Sequence, residues 1–119
     1  ANLSLMREIK FLVLKNKKCP VEEFLDSLNP KMAQKVTWVL SLIEEEDFVP
    51  QKYFKKLTNS DDIWECRIAF SSDIVRIFAF FDHNNKIILT HGFIKKSQKT
   101  PKDEIAKAKN YKKDYFKNL

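Results

Sequence analysis

Glycine is almost absent from this 119-residue chain, which has a single one at position 92. A glycine-rich loop of the kind that cradles nucleotide phosphates therefore cannot be built. Cysteine is nearly as scarce. Cys19 and Cys66 stand far apart and in no CxxC pair, which excludes the usual zinc spacings. Two such thiols read as buried and reduced, the state expected in a cytoplasmic protein. Long apolar runs are missing too: stretches such as 11–14 are far too short to cross a bilayer. The N-terminus shows none of the pattern of a secretory signal. Neither a Ser–His–Asp order, nor HExxH, nor a metal-binding carboxylate cluster emerges from the residues present.

What remains is ample for a core. Apolar residues make up 44% of the chain and aromatics 13%, ten of them Phe, which argues against disorder. The length suits one domain over residues 1–119. Met6 reads as the natural start, with residues 1–5 a cloning remnant. The net charge is +6, and its placement says more than its size. Residues 1–94 hold 13 basic and 13 acidic side chains, whereas residues 95–119 hold nine lysines against Asp103, Glu104 and Asp114. A basic end on a neutral body suits a polyanion: nucleic acid, an acidic protein or a membrane surface. A solvated lysine-rich helix accounts for the same charge.

Hydropathy patterning predicts an α+β domain. Residues 6–14 alternate weakly, as a first strand does, and residues 15–19 form a polar turn. Pro20 opens a short helix over 20–28, at a position where proline is tolerated. Asn29 is a good N-cap for a second helix from Pro30. Met32, Val36, Val39, Leu40 and Ile43 recur at helical spacing and define its buried face. The acidic run 44–47 ends it. Carboxylates there oppose the helix dipole, so a frayed, solvated end is expected.

The period then shortens to two. Within 63–70, Trp64, Cys66, Ile68 and Phe70 share one face and Glu65 and Arg67 the other. Residues 74–81 are nearly all apolar and read as a central strand, and residues 86–95 as the last strand of a meander. Pro101 opens a final helix with a narrow stripe of Ile105, Ala108, Tyr111 and Tyr115. The expected layout is βααβββα, one antiparallel sheet packed against helices.

Three features bear on chemistry. Arg76 is the lone charge in its apolar strand, so it must be paired or reach a polar cleft. Asp73, Asp82 and Glu65 are the available partners. Arg67 can pair with Glu65 or line the same cleft. Two guanidiniums side by side repel unless an anion sits between them. The third feature is the stretch 91–101, which leaves a strand end for a lysine-rich loop, a usual place for sites. His91 falls on the Leu89 and Phe93 side, where a packed structural histidine is the simpler reading. His83 lies in a turn. Arg, Lys, His and Tyr together fit metal-free phosphate chemistry: cations stabilise a phosphorane, and RNA brings its own nucleophile in the ribose 2′-OH.

The order Lys56–Leu57, Ile63–Trp64–Glu65–Cys66–Arg67–Ile68, Val75–Arg76–Ile77–Phe78, His91–Gly92–Phe93–Ile94–Lys95–Lys96 and Lys99–Thr100–Pro101 resembles the phage Gp49-like branch of the RelE/HigB toxin superfamily. Pro20–Val21–Glu22–Glu23–Phe24–Leu25 is similar to its first helix. The resemblance covers about 6–115 and is most specific in HGF-x-KK and K-T-P. It implies a compact RelE-like fold and the toxin half of a type II toxin–antitoxin pair, partnered by a helix-turn-helix antitoxin. It also implies an mRNA interferase that acts at the ribosome without a metal or other cofactor. In that family Arg67 and Arg76 would contact the scissile phosphate and rRNA, and Lys95 and Lys96 would supply charge or act as acid. Lys56, Lys99 and Lys102 would bind RNA. His91, Tyr111 and Tyr115 are the candidates for an acid or base. The related ParE branch implies another function, contact inhibition of DNA gyrase, and a phage-borne copy without activity is a third reading. Arg76→Ala is expected to remove toxicity while sparing the fold.

Overall fold

The computed structural model describes residues 7–95 and 101–119. They form β1 (Ile9–Phe11), α1 (Pro20–Ser27), α2 (Pro30–Glu45), β2 (Phe54–Lys56), β3 (Trp64–Phe70), β4 (Asp73–Phe81), β5 (Ile87–Lys95) and α3 (Lys102–Lys117). The five strands make one sheet in the order β1-β5-β4-β3-β2. β2 to β5 pair antiparallel, while β1 lies parallel to β5.

The α+β class and the meander follow the expected pattern, with two corrections. The layout gains a strand, β2, whose three residues include two lysines and so carry almost no apolar signal. The sheet is mixed, because the chain passes through α1 and α2 before β1's partner is made, and such a crossover permits a parallel neighbour.

Helices flank both faces. α2 buries the predicted stripe, Met32, Val36, Val39, Leu40 and Ile43, against Cys66, Ile68, Val75 and Ile77. Asn29 caps it as expected, its side chain accepting from the Met32 N–H at 2.9 Å. Its C-terminus is not frayed. Arg7 donates to the carbonyls of Ile43, Glu46 and Asp47 at 3.1, 2.6 and 3.1 Å, placing a cation where the helix dipole favours one. On the other face α3 lays Ile105, Ala108, Tyr111, Tyr115 and Phe116 over Ile63, Phe78, Phe80 and Ile88.

The single glycine has a steric reason. A Cβ at Gly92 would stand 2.4 Å from the Phe24 ring of α1, so a side chain there would push that helix off the sheet. Nearby the β4–β5 register shifts: Ile77 faces Gly92 and Ala79 faces Leu89, leaving Thr90 and His91 both opposite Phe78. This bulge inverts the side-chain alternation along β5. Leu89 faces α2 while Phe93 faces α3. The sequence expectation that His91 shares a side with both is therefore corrected: it stacks near Phe93, ring centroids 6.1 Å apart.

Gly92→Ala should lower stability by about 1–3 kcal/mol through overpacking. Urea unfolding of Gly92→Ala, Phe24→Ala and the double variant checks this. The cost of Gly92→Ala should shrink once the Phe24 ring is gone.

Candidate anion cleft on the sheet

Register brings the two predicted arginines together. Arg67 on β3 is the direct partner of Arg76 on β4, which in turn faces Phe93 on β5. The Arg67 N–H bonds outward to Tyr53 at 2.8 Å, so the arginines form a non-hydrogen-bonded pair. Such pairs hold their Cα atoms only about 4.5 Å apart, the closest approach antiparallel strands offer. The next row is Ala69, Ile74 and Lys95. The row on the other side begins with Lys55, Glu65 and Phe78. All point to the face that α3 only partly covers. Ala69 and Ile74 are exposed and Lys95 is half-buried, so this end of the sheet is open.

A buried carboxylate joins the arginines. Glu65 Oε1 lies 3.5 Å from Arg67 Nε, and Oε2 lies 3.2 Å from Arg76 Nε. The Glu65 and Arg76 side chains are each 4% exposed, whereas Arg67 is 35% exposed. None of Glu65 Oε2, Arg67 Nε and Arg76 Nε reaches a well-aligned hydrogen bond with protein. Their attraction is charge contact, and buried polar atoms left this way call for an explanation. Burial pulls the Arg76 pKa below its ordinary value, and Glu65 opposes that shift. Lys95 is held below the usual lysine range first by desolvation, then by Arg76. Among the four charged groups the balance is two positive charges in excess, on a surface suited to an anion.

The other predicted residues divide. His91 is buried beneath α3, with Nδ1 3.0 Å from Thr90 Oγ1, Nε2 3.5 Å from Glu104 and its ring against Tyr111. Burial, aided by Lys107, pushes its pKa down to about 4. At neutral pH the Glu104 contact therefore involves an uncharged imidazole, and His91 and Tyr111 serve packing. Tyr115 donates to Asp82 at 3.3 Å. Asp82 lies six residues along the β4 direction from Arg76, about 20 Å away. Lys56 alternates to the α2 side opposite Trp64 and pairs with Asp62 at 2.8 Å. Its neighbour Lys55 occupies the arginine face instead, and only knowledge of β2 could have shown that. Lys102 is exposed at the start of α3. Lys96 and Lys99 lie outside the described residues. His83 is exposed, its ring tilted against that of Phe116 with centroids 4.6 Å apart.

A concavity of about 640 Å³ lies between residues 12–16 and the last turns of α3, and neither arginine lines it. Within the charge cluster Arg67 and Lys95 are partly exposed, whereas Glu65 and Arg76 are buried. No described helix is long and apolar enough to cross a membrane.

The family model described as Phage derived protein Gp49-like (DUF891) matches residues 23–113. The chain belongs to that family, which is related to the RelE/HigB toxin superfamily. No curated protein matches the chain in a sequence search.

Two outcomes follow for stability. Arg76→Ala strands a buried carboxylate and should cost about 3–5 kcal/mol, so the expectation that it spares the fold is revised. Arg67→Ala, at a half-exposed position, should cost about 1 kcal/mol or less. Urea midpoints distinguish them. His91 stays neutral in the fold but takes up a proton near pH 6.5 when unfolded. Its contribution is complete above that pH and falls by roughly 3 kcal/mol as the pH drops toward 4. His91→Gln should flatten this part of a stability–pH profile.

Proposed function

We propose that this protein is the toxin of a type II toxin–antitoxin pair, an endoribonuclease that cuts mRNA on the ribosome and is neutralised by a helix-turn-helix antitoxin. The observation that carries this reading is the convergence of Arg67, Arg76 and Lys95 from three adjacent strands on one face of the sheet. Family membership supports the toxin role.

The chemistry asks for little more than charge. The ribose 2′-oxygen attacks the adjacent phosphorus, its bond to phosphorus forms, and the bond to the 5′-oxygen breaks. The products are a 2′,3′-cyclic phosphate and a free 5′-hydroxyl. On this reading Arg67 and Arg76 hold the non-bridging oxygens as charge builds on them. Lys95, with its pKa lowered, donates a proton to the departing 5′-oxygen. The 2′-OH proton passes to water or an rRNA group, since His91 is enclosed and Tyr115 is engaged with Asp82. Lys55 and Lys102 add attraction for the RNA backbone.

Translation in a purified system, followed by primer extension on the mRNA, tests this. Cuts should appear only with ribosomes present, and Arg67→Ala should slow them about 100-fold or more. Intact mRNA together with blocked gyrase supercoiling would replace this reading with gyrase inhibition. Neither effect would identify an inactive homologue.

A further inference from the structure

Phosphate binding calls for cations, yet the cleft contains a buried anion at its inner end. Glu65 is 3% exposed and sits one row deeper than the arginine pair, on the side covered by α3. Each of its oxygens approaches a different arginine, and both contacts run through Nε, the nitrogen nearest the chain. The terminal amino groups lie beyond Nε on side chains that are 35% exposed at Arg67 and 4% at Arg76, so a ligand meets Arg67 first and Arg76 behind it. Arg67 and Arg76 are register partners in the closest pairing that antiparallel strands offer. Like charges facing each other in this way repel. Without a carboxylate behind them, they would splay apart.

We propose that Glu65 is a positioning residue that holds Arg67 and Arg76 together as one two-armed clamp, each arm taking one non-bridging oxygen of a single phosphodiester. This rests on the reading of the cleft as an RNA phosphate site and adds the residue that shapes it. Glu65 does not touch the ligand. It sets the spacing and orientation of the two groups that do, so the ordering is complete before the phosphate arrives. The open row of Ala69, Ile74 and Lys95 gives the ligand its approach.

Coulomb's law alone makes the opposite forecast. Deleting a negative charge beside an anion site should tighten anion binding. Positioning demands that it weaken. The probe is dimethyl phosphate, a diester monoanion, titrated into the full chain while the arginine Nε–H resonances are followed by NMR. In the wild type, both Arg67 and Arg76 signals should be protected from exchange without ligand and should shift together on titration. In Glu65→Gln that protection should disappear, and affinity should fall about tenfold despite the added positive charge. Arg67→Lys keeps the charge count, the Glu65 carboxylate and a half-exposed position tolerant of change, and loses only the planar fork. It should also bind about tenfold more weakly. Equal or tighter binding by Glu65→Gln overturns the positioning role. If that variant fails to fold, unprotected arginine signals in the wild type, or unchanged affinity in Arg67→Lys, overturn the clamp. A wild type with protected arginines that never shift with dimethyl phosphate removes the anion site itself, and with it the clamp. Protected, shifting arginines without ribosome-dependent cleavage leave the clamp standing and remove only the nuclease reading.

Discussion

The Arg67–Arg76 pairing is the constraint around which this face of the protein is arranged. Two guanidiniums directly opposite each other on neighbouring strands, one of them almost fully buried, are tolerated because a buried glutamate touches both. The arrangement is costly by ordinary standards: three ionised groups share a site with imperfectly aligned contacts. A domain with this much apolar material does not need such a cluster to fold. The cost falls beside the exposed row of Ala69 and Ile74.

Much of the fold was legible in the sequence because its signals are local. The stripe from Met32 to Ile43, the Asn29 cap and the alternation of Trp64, Cys66, Ile68 and Phe70 all report their own surroundings, and each lies where its spacing placed it. β2 was hidden because Phe54 is its only apolar residue. The parallel β1–β5 pair and the β5 bulge arise from contacts distant in sequence, which no short-range period encodes.

The site was legible to a similar depth. An isolated arginine in an apolar strand is a local anomaly, and it pointed to both the cleft and the partner Glu65, one of three carboxylates within reach of the argument. That one carboxylate serves two arginines could not be read without the β3–β4 register. The same gap directed attention to Lys56 when the neighbouring Lys55 faces the cleft. His91 read as a packed histidine from its apolar neighbours, beside its candidacy as an acid or base. Its burial beneath α3, against Tyr111, fits that packed reading.

The two helical layers also make different demands on β5. At Gly92 the strand must be smooth enough for the Phe24 ring to rest on it. Three residues later it must offer a cation to the opposite side. An unbroken strand would keep the parity of Ile87 and Leu89, which face α2, and so turn residue 95 toward that helix. The extra residue at Thr90–His91 resets the count and delivers Lys95 to the arginines. A relative that lost this residue by deletion would regain regular alternation, with Gly92 to Lys95 keeping their partners on β4, and its lysine would stay on the arginine face. Alignments of such proteins should therefore place the gap at the bulge and keep the lysine in register with the arginines.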